Sequence, residues 1–411
     1  MTVKLTDIQE ARKILQGIII PTPILSDEKL SNEIGAKAYL KAESLQRAGS
    51  FKMRGAYNKI SRLSKEEKKR GVVTASAGNH AQGVALAARL QNIKSTVVLP
   101  VFAPLTKVMA TKAQGANVIL HGTTFDEAVA YGKKLGEEKG YVYVNAFDDY
   151  DVIAGQGTIG WEIADHLPES TLIVVPIGGG GIISGISLAV KNLIPNVRVV
   201  GVQSANCSSV IHSLKEGKPL EPLEYSPTIA DGIAVKRPGE KTLPIMEKYV
   251  DEFVTVTEEE IARGIYHCVT NNRLVVEGAG AAGVAALLAG KIKVKSDDTV
   301  CTVLCGGNID ANLLSRVLEQ VLVRQGRYIM LKMLVPDRPG MLAGLLQHVA
   351  ETHANVIEVF HLRAMYLAPL GYVGIELLLE VRDEEHSRDV IKHLAAQGYH
   401  VDREGVGDWK E

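Results

Sequence analysis

Four short stretches of the sequence place reactive side chains or bare backbone where a small ligand could be handled. Gly178, Gly179, Gly180 and Gly181 follow the apolar segment Leu172 to Ile177 and precede Ile182, Ile183, Ser184 and Gly185. Consecutive glycines after a strand let backbone N–H groups converge, and a helix starting behind them adds positive potential, so the expected occupant is an anion or a phosphate. A Walker loop is excluded because Ile186 rather than Lys follows Gly185, and no G-x-G-x-x-G spacing threads through the run. A glycine-rich packing turn is the alternative. The second stretch, Ser76 to Gly83, lies where a strand gives way to a helix. Its amides could hold a carboxylate, and Asn79 could bond a ring substituent; plain N-capping by Ser76 or Asn79 explains the same residues. His80 has no second ligand at metal spacing, so no metal is expected. Lys52, between Phe51 and Met53, is a candidate for partial desolvation, which lowers an amine's pKa and makes a Schiff base feasible. Most lysines are merely solvated. Cys305, before Gly306, Gly307 and Asn308, ends an apolar strand, where α/β proteins place ligands; a buried inert thiol is the bland reading.

These residues need a scaffold, and the chain supplies an αβ alternation. Strands are expected at 71–74, 95–99, 116–120 and 141–147, with helices at 81–90, 105–114 and 125–138 between them. A second series follows: helix 152–167, strand 172–177, helix 182–192 and strand 197–202, then strand 253–257, helices 258–270 and 278–288, and strand 299–305. Short apolar strands alternating with helices predict an α/β fold of two lobes with parallel sheets covered on both faces. The smaller lobe is expected at roughly 50–148, inserted in the larger. Near Val323 to Arg327 the pattern changes, so a catalytic part at 1–325 and a separate domain at 326–411 are expected. That domain reads strand, helix, strand, strand, helix, strand, and Val373, Ile375, Leu377, Leu379 and Val381 fall on one face.

Composition narrows the function. Among 411 residues, 46 Lys and Arg balance 47 Asp and Glu, so no global field favours nucleic acid or an anionic membrane. Aromatics are only 5%, too few for base-stacking platforms. Four cysteines form no disulfide framework, and Cys301 and Cys305 would stand about 13 Å apart along one strand. The uncharged stretch Thr171 to Val190 is interrupted by Pro176 and the glycine run, so no membrane helix is expected there. Met1 to Lys37 shows no signal-peptide pattern, and a cytoplasmic location is the reading.

A reactive lysine, a phosphate cup without a nucleotide signature and a carboxylate site together suit pyridoxal 5'-phosphate handling an amino acid. The four segments, in this order, resemble the threonine dehydratase and serine racemase branch of the fold type II pyridoxal phosphate enzymes. The resemblance implies that Lys52 holds the cofactor aldehyde, that Asn79 bonds its ring hydroxyl, and that Gly178 to Gly181 with Ile182 cradle its phosphate. It places Cys305 against the pyridine nitrogen, Ser76, Asn79 and His80 on the substrate carboxylate, and Glu277, Asp231 and Gly232 along the pocket. The last domain resembles an ACT regulatory module, with Gly340, in Asp337 to Gly340, and Asn355 as expected contacts for an amino acid effector such as isoleucine or valine. Dehydration of L-threonine to 2-oxobutanoate and ammonia, with L-serine to pyruvate beside it, is the expected activity of a homo-oligomer. Serine racemase is the rival. It resembles this chain less, because Ala77 stands where racemases carry a serine, and Gln203, Cys207 and Ser209 stand where they build a divalent-metal site. A non-catalytic amino acid sensor is the other alternative.

Overall fold

The computed structural model describes residues 2–363 and 368–403. By contact the chain divides into two units, Met1–Ile309 and Asp310–Glu411. The first holds ten strands: β1 (Ile24–Ser26), β2 (Lys37–Lys41), β3 (Val72–Ala75), β4 (Ser95–Leu99), β5 (Asn117–Leu120), β6 (Val142–Tyr143), β7 (Leu172–Pro176), β8 (Arg198–Ser204), β9 (Glu252–Val256) and β10 (Thr299–Val303). They form a parallel sheet of order β5-β4-β3-β6 and a larger sheet of order β1-β2-β10-β7-β8-β9, in which only β1 runs antiparallel to its neighbour. The small sheet lies wholly between β2 and β7 in the chain, so the small lobe is an insertion in the large one. Every residue of β3, β4, β7 and β10 is buried, as strands covered by helices on both faces require.

A buried ionic network ties parts of the first unit together. Arg54, with no exposed surface, donates through Nε and Nη2 to Glu43 at 2.8 and 2.7 Å and through Nη1 to Glu162 at 2.6 Å. Lys41 Nζ donates to Glu162 at 2.6 Å and to the Thr22 carbonyl at 2.7 Å. Burial opposes the guanidinium charge, but Glu43 and Glu162 overcome it and hold Arg54 above its ordinary pKa. The network joins β2, helix Tyr150–His166 and helix Lys52–Ser61.

The second unit opens with helix Ala311–Arg324 and continues as β11 (Tyr328–Pro336), helix Met341–Glu351, β12 (Asn355–Leu362), β13 (Tyr372–Glu380), helix Glu384–Ala396 and β14 (Val401–Arg403). Its antiparallel sheet has the order β12-β13-β11-β14, a ferredoxin-like arrangement. Val373, Ile375, Leu377 and Leu379 of β13 pack with Leu345 and Val349 of the first of those two βαβ helices and Val390 and Leu394 of the second. By contact, helix Ala311–Arg324 groups with this unit. No helix among the described residues is long and apolar enough to cross a membrane.

Candidate active site

Lys52 is the first residue of helix Lys52–Ser61, and Gly83 of helix Asn79–Leu90 lets the two helices meet beside it. A Cβ on Gly83 would lie 3.1 Å from the Lys52 backbone carbon and Cβ. The half-buried Lys52 sends Nζ to the carbonyl of Ala146 at 3.0 Å and over the Phe51 ring at 5.0 Å from its centroid. Burial pushes this ammonium down to about 8, against the opposing pull of Glu277.

The next residue, Phe147, closes against the glycine loop. A Cβ on Gly179 would come within 2.5 Å of the Phe147 ring, and one on Gly181 within 2.8 Å of Phe147 Cβ. Lys52 and the loop therefore flank the same two residues. The loop joins β7 to helix Gly181–Leu193, and Gly180 turns it at φ 96°. Thr242 Oγ1 and the Gly239 amide both donate to the Gly179 carbonyl, at 2.7 and 3.2 Å. Among the described residues, no protein acceptor takes the N–H groups of Gly178, Gly179, Gly180, Gly181 or Ile182, although all five residues are buried. Buried unpaired amides at a helix start are rare unless an anion is meant to meet them.

The remaining side chains form a chain of contacts. Asn79 Nδ2 donates to Glu277 Oε1 at 2.6 Å, and Asn308 Nδ2 donates to Asn79 Oδ1 at 2.7 Å, so both ends of the Asn79 amide are held. Asn308 is the positioning residue that sequence reasoning stopped short of; its place three residues after Cys305 was visible, its partner was not. Glu277 is 4% exposed, and burial, with the like charge of Asp231 second, pushes its carboxyl up to about 7. Asp231 itself is exposed and pairs with Lys107 at 2.6 Å, while Gly232 lets the chain pass close to Glu277. Cys305 lies just past the end of β10; burial raises its thiol well above the ordinary value, so it is neutral. Burial, then the charge on Lys52, pushes His80 down to about 3, and its Nε2 meets the Val144 carbonyl at 3.0 Å. A neutral His80 must donate there, which leaves its buried Nδ1 an unpartnered acceptor. Ser76 Oγ accepts the Gly78 amide at 3.2 Å.

In the second unit, Asp337, Arg338, Pro339 and Gly340 line a cavity of about 250 Å³ together with His361 and Arg363. Asn355 is not among its walls. It pairs in register with Glu380, and Glu380 with Tyr328, whereas the cavity opens beyond Pro336 at the other end of β11. Within one chain, Gly340 and Asn355 stand at opposite ends of the sheet.

A lysine amine on Ala146 and a loop of buried, unpaired amides on Phe147 suit an enzyme that binds a phosphorylated aldehyde. Residues 15–306 match the family of pyridoxal-phosphate dependent enzymes, and the chain belongs to it. It is 50% identical over 399 residues to an L-threonine ammonia-lyase of Thermotoga maritima, covering 97% of this chain and 99% of that one. Among solved structures, the processed form of threonine deaminase isoform 2 from Solanum lycopersicum matches with a TM-score of 0.74 at 37% identity, over 79% of this chain and 91% of that chain. Maize serine racemase matches with a TM-score of 0.73 at 33% identity, over 79% and 100%. The residues present fit the cofactor: the unpaired amides suit its phosphate, and Lys52 suits its aldehyde.

Proposed function

We propose that the protein is a carbon–nitrogen lyase that converts L-threonine to 2-oxobutanoate and ammonia, and L-serine to pyruvate and ammonia. The observation that carries this reading is the five unpaired amides of Gly178–Ile182 set across Ala146 and Phe147 from the Lys52 amine. Bound there, pyridoxal phosphate supplies an aldehyde for the substrate amine and a ring that draws electrons from the α-carbon. Lys52 would hold the cofactor and would take the α-proton at Nζ, and burial, which lowers its pKa to about 8, favours the neutral amine that this needs. The amides of Gly178–Ile182 would hold the phosphate, and Asn79, pinned by Glu277 and Asn308, would bond the ring hydroxyl. Cys305, held neutral by burial, would face the ring nitrogen without protonating it, which suits elimination better than transamination. Ser76 and the first-turn amides of helix Asn79–Leu90 take the substrate carboxylate. His80 contributes through its main-chain N–H, since its side chain is committed to Val144. Glu277, Asp231 and Gly232 wall the pocket.

Racemisation needs a proton carrier on the opposite face, and Ala77 has none. Gln203, at the place where racemases bind a divalent metal, already accepts the amides of Val210 and Ile211 at 3.1 and 3.3 Å. The C-terminal unit is read as an ACT module that binds isoleucine or valine around Gly340. The division of labour proposed is catalysis at 1–325 and control at 326–411, in a cytoplasmic homo-oligomer. Because Gly340 and Asn355 are far apart in one chain, a ligand touching both must sit between two modules. The deciding experiment measures oxoacid release from L-threonine and L-serine by wild type and Lys52→Ala, with and without isoleucine, valine and AMP. Turnover by wild type and none by Lys52→Ala, with the visible absorbance of the lysine-bound cofactor lost, supports the reading. Full activity in Lys52→Ala sinks it.

A further inference from the structure

We propose that the C-terminal unit carries a zinc site formed by His348, Glu351 and His393. Glu351 closes helix Met341–Glu351, His348 stands one turn earlier on the same face, and His393 lies in the last turn of helix Glu384–Ala396. Glu351 Oε2 is 3.3 Å from His348 Nδ1 and 3.0 Å from His393 Nε2, and the three atoms all lie within 4.8 Å of one another. Ligands about 2.0–2.1 Å from a tetrahedral zinc stand roughly 3.3 Å apart. Two of the three edges therefore have that length already, and the third, between the imidazoles, is no longer than 4.8 Å.

The chemistry of the donors selects the ion. Two imidazoles and one carboxylate suit Zn²⁺, whereas Mg²⁺ and Ca²⁺ prefer all-oxygen shells. The backbone adds to this, since both helices end at the cluster and direct the partial negative charge of their terminal carbonyls toward it. Tyr399 stands edge-on to His348, with ring centroids 5.9 Å apart, and limits how far that ring can swing. The side chains of His348, His393 and Glu351 are 28%, 33% and 46% exposed, so an ion can reach them and keep water in the remaining position. A metal held here ties together the two helices that back the sheet, independently of what the module binds at Gly340. The competing reading is a carboxylate that bonds two imidazoles through protons alone.

Metal-free holoenzyme titrated with Zn²⁺ in excess Mg²⁺ should bind one equivalent per chain at this site, and Co²⁺ in its place should give the visible bands of a four- or five-coordinate ion. Loss of an outer-shell partner alone weakens metal sites by about 10–100-fold, so His348→Ala and His393→Ala should each lower zinc affinity on the order of 100-fold. Both variants should keep normal oxoacid production and, without zinc, the wild-type thermal transition of the C-terminal unit, which verifies that this unit is still folded. Zinc should also raise the thermal transition of wild type and leave that of His393→Ala unmoved. No saturable zinc binding by wild type, or equal affinity in His348→Ala, His393→Ala and wild type, overturns the proposal. The first outcome would leave the proton-bonded cluster as its replacement.

Discussion

Replacing Glu277 by Gln should stabilise the catalytic unit above neutral pH while lowering its activity. Glutamine keeps the shape and an oxygen that can accept from Asn79 Nδ2, so the change removes a charge and little else. The folded state raises this carboxyl from an ordinary 4.5 to about 7, first by burial and then by the charge of Asp231. At about 1.4 kcal/mol per tenfold, that amounts to roughly 3 kcal/mol. Below pH 4.5 the proton stays on in both folded and unfolded chains, and the carboxyl has no effect on stability. Between 4.5 and 7 the unfolded chain releases its proton first, so wild type loses stability as pH rises and has lost the full amount above 7. Unfolding entropy near 2.1 cal/mol/K per residue gives about 0.65 kcal/mol/K for the 309 residues of Met1–Ile309. Glu277→Gln should therefore melt about 5 °C higher than wild type at pH 8, and at nearly the same temperature at pH 4.5. Calorimetry on both proteins, freed of cofactor and scanned across that range, measures the difference directly. A gap that does not grow with pH, or a variant that melts lower at pH 8, would refute the burial argument.

Other substitutions probe the remaining parts. Ala77→Ser should raise the ratio of D-serine to pyruvate formed from L-serine, read by chiral chromatography; an unchanged ratio would mean that the opposite face is not reached from residue 77. Gly181→Ala sets a Cβ 2.8–2.9 Å from Phe147 Cβ and Cα, which a side-chain rotation cannot relieve. A strain of about 1–3 kcal/mol should weaken cofactor binding by about 5- to 150-fold, measured by equilibrium dialysis, with the melting temperature of the C-terminal unit unaffected. A chain ending at Arg324 should retain oxoacid production and lose any response to isoleucine or valine, and a retained response would place the effector site in the catalytic part.

The parallel αβ alternation and the glycine cup were legible because each rests on local pattern: apolar strands, helix periodicity and a four-glycine run. What escaped detection depends on distant partners. Strand 141–147 is expected to be long, but pairing ends at Tyr143 because Asn145 Oδ1 accepts the amides of Phe147 and Asp148 and turns the chain. Helix 258–270 stops as an α-helix at His267 and widens into a π turn, Cys268–Asn272, ahead of Arg273 at φ 60°. β2 begins and ends in Lys, and nothing in its composition shows that Lys41 is buried against Glu162. Likewise, Phe51 beside Lys52 already hinted at a desolvated amine, but the carbonyl of Ala146 that meets Nζ arrives from 94 residues away. Asn308 was part of a motif already singled out, yet its hold on Asn79 spans 229 residues of sequence.

The quartet of Arg54, Glu43, Glu162 and Lys41 restricts how this enzyme can drift over evolutionary time. Losing one member strands a buried opposite charge at about 3–5 kcal/mol, a large part of the stability a domain possesses, whereas exchanging the whole set for matched apolar residues can be neutral. Intermediate genotypes with three of the four are therefore purged. Because Arg54 sits two positions after Lys52, those genotypes would also disturb the lysine's helix. Descendants of this lineage should carry all four charges or none, and a swap of any one between distant homologues should fail unless the other three travel with it.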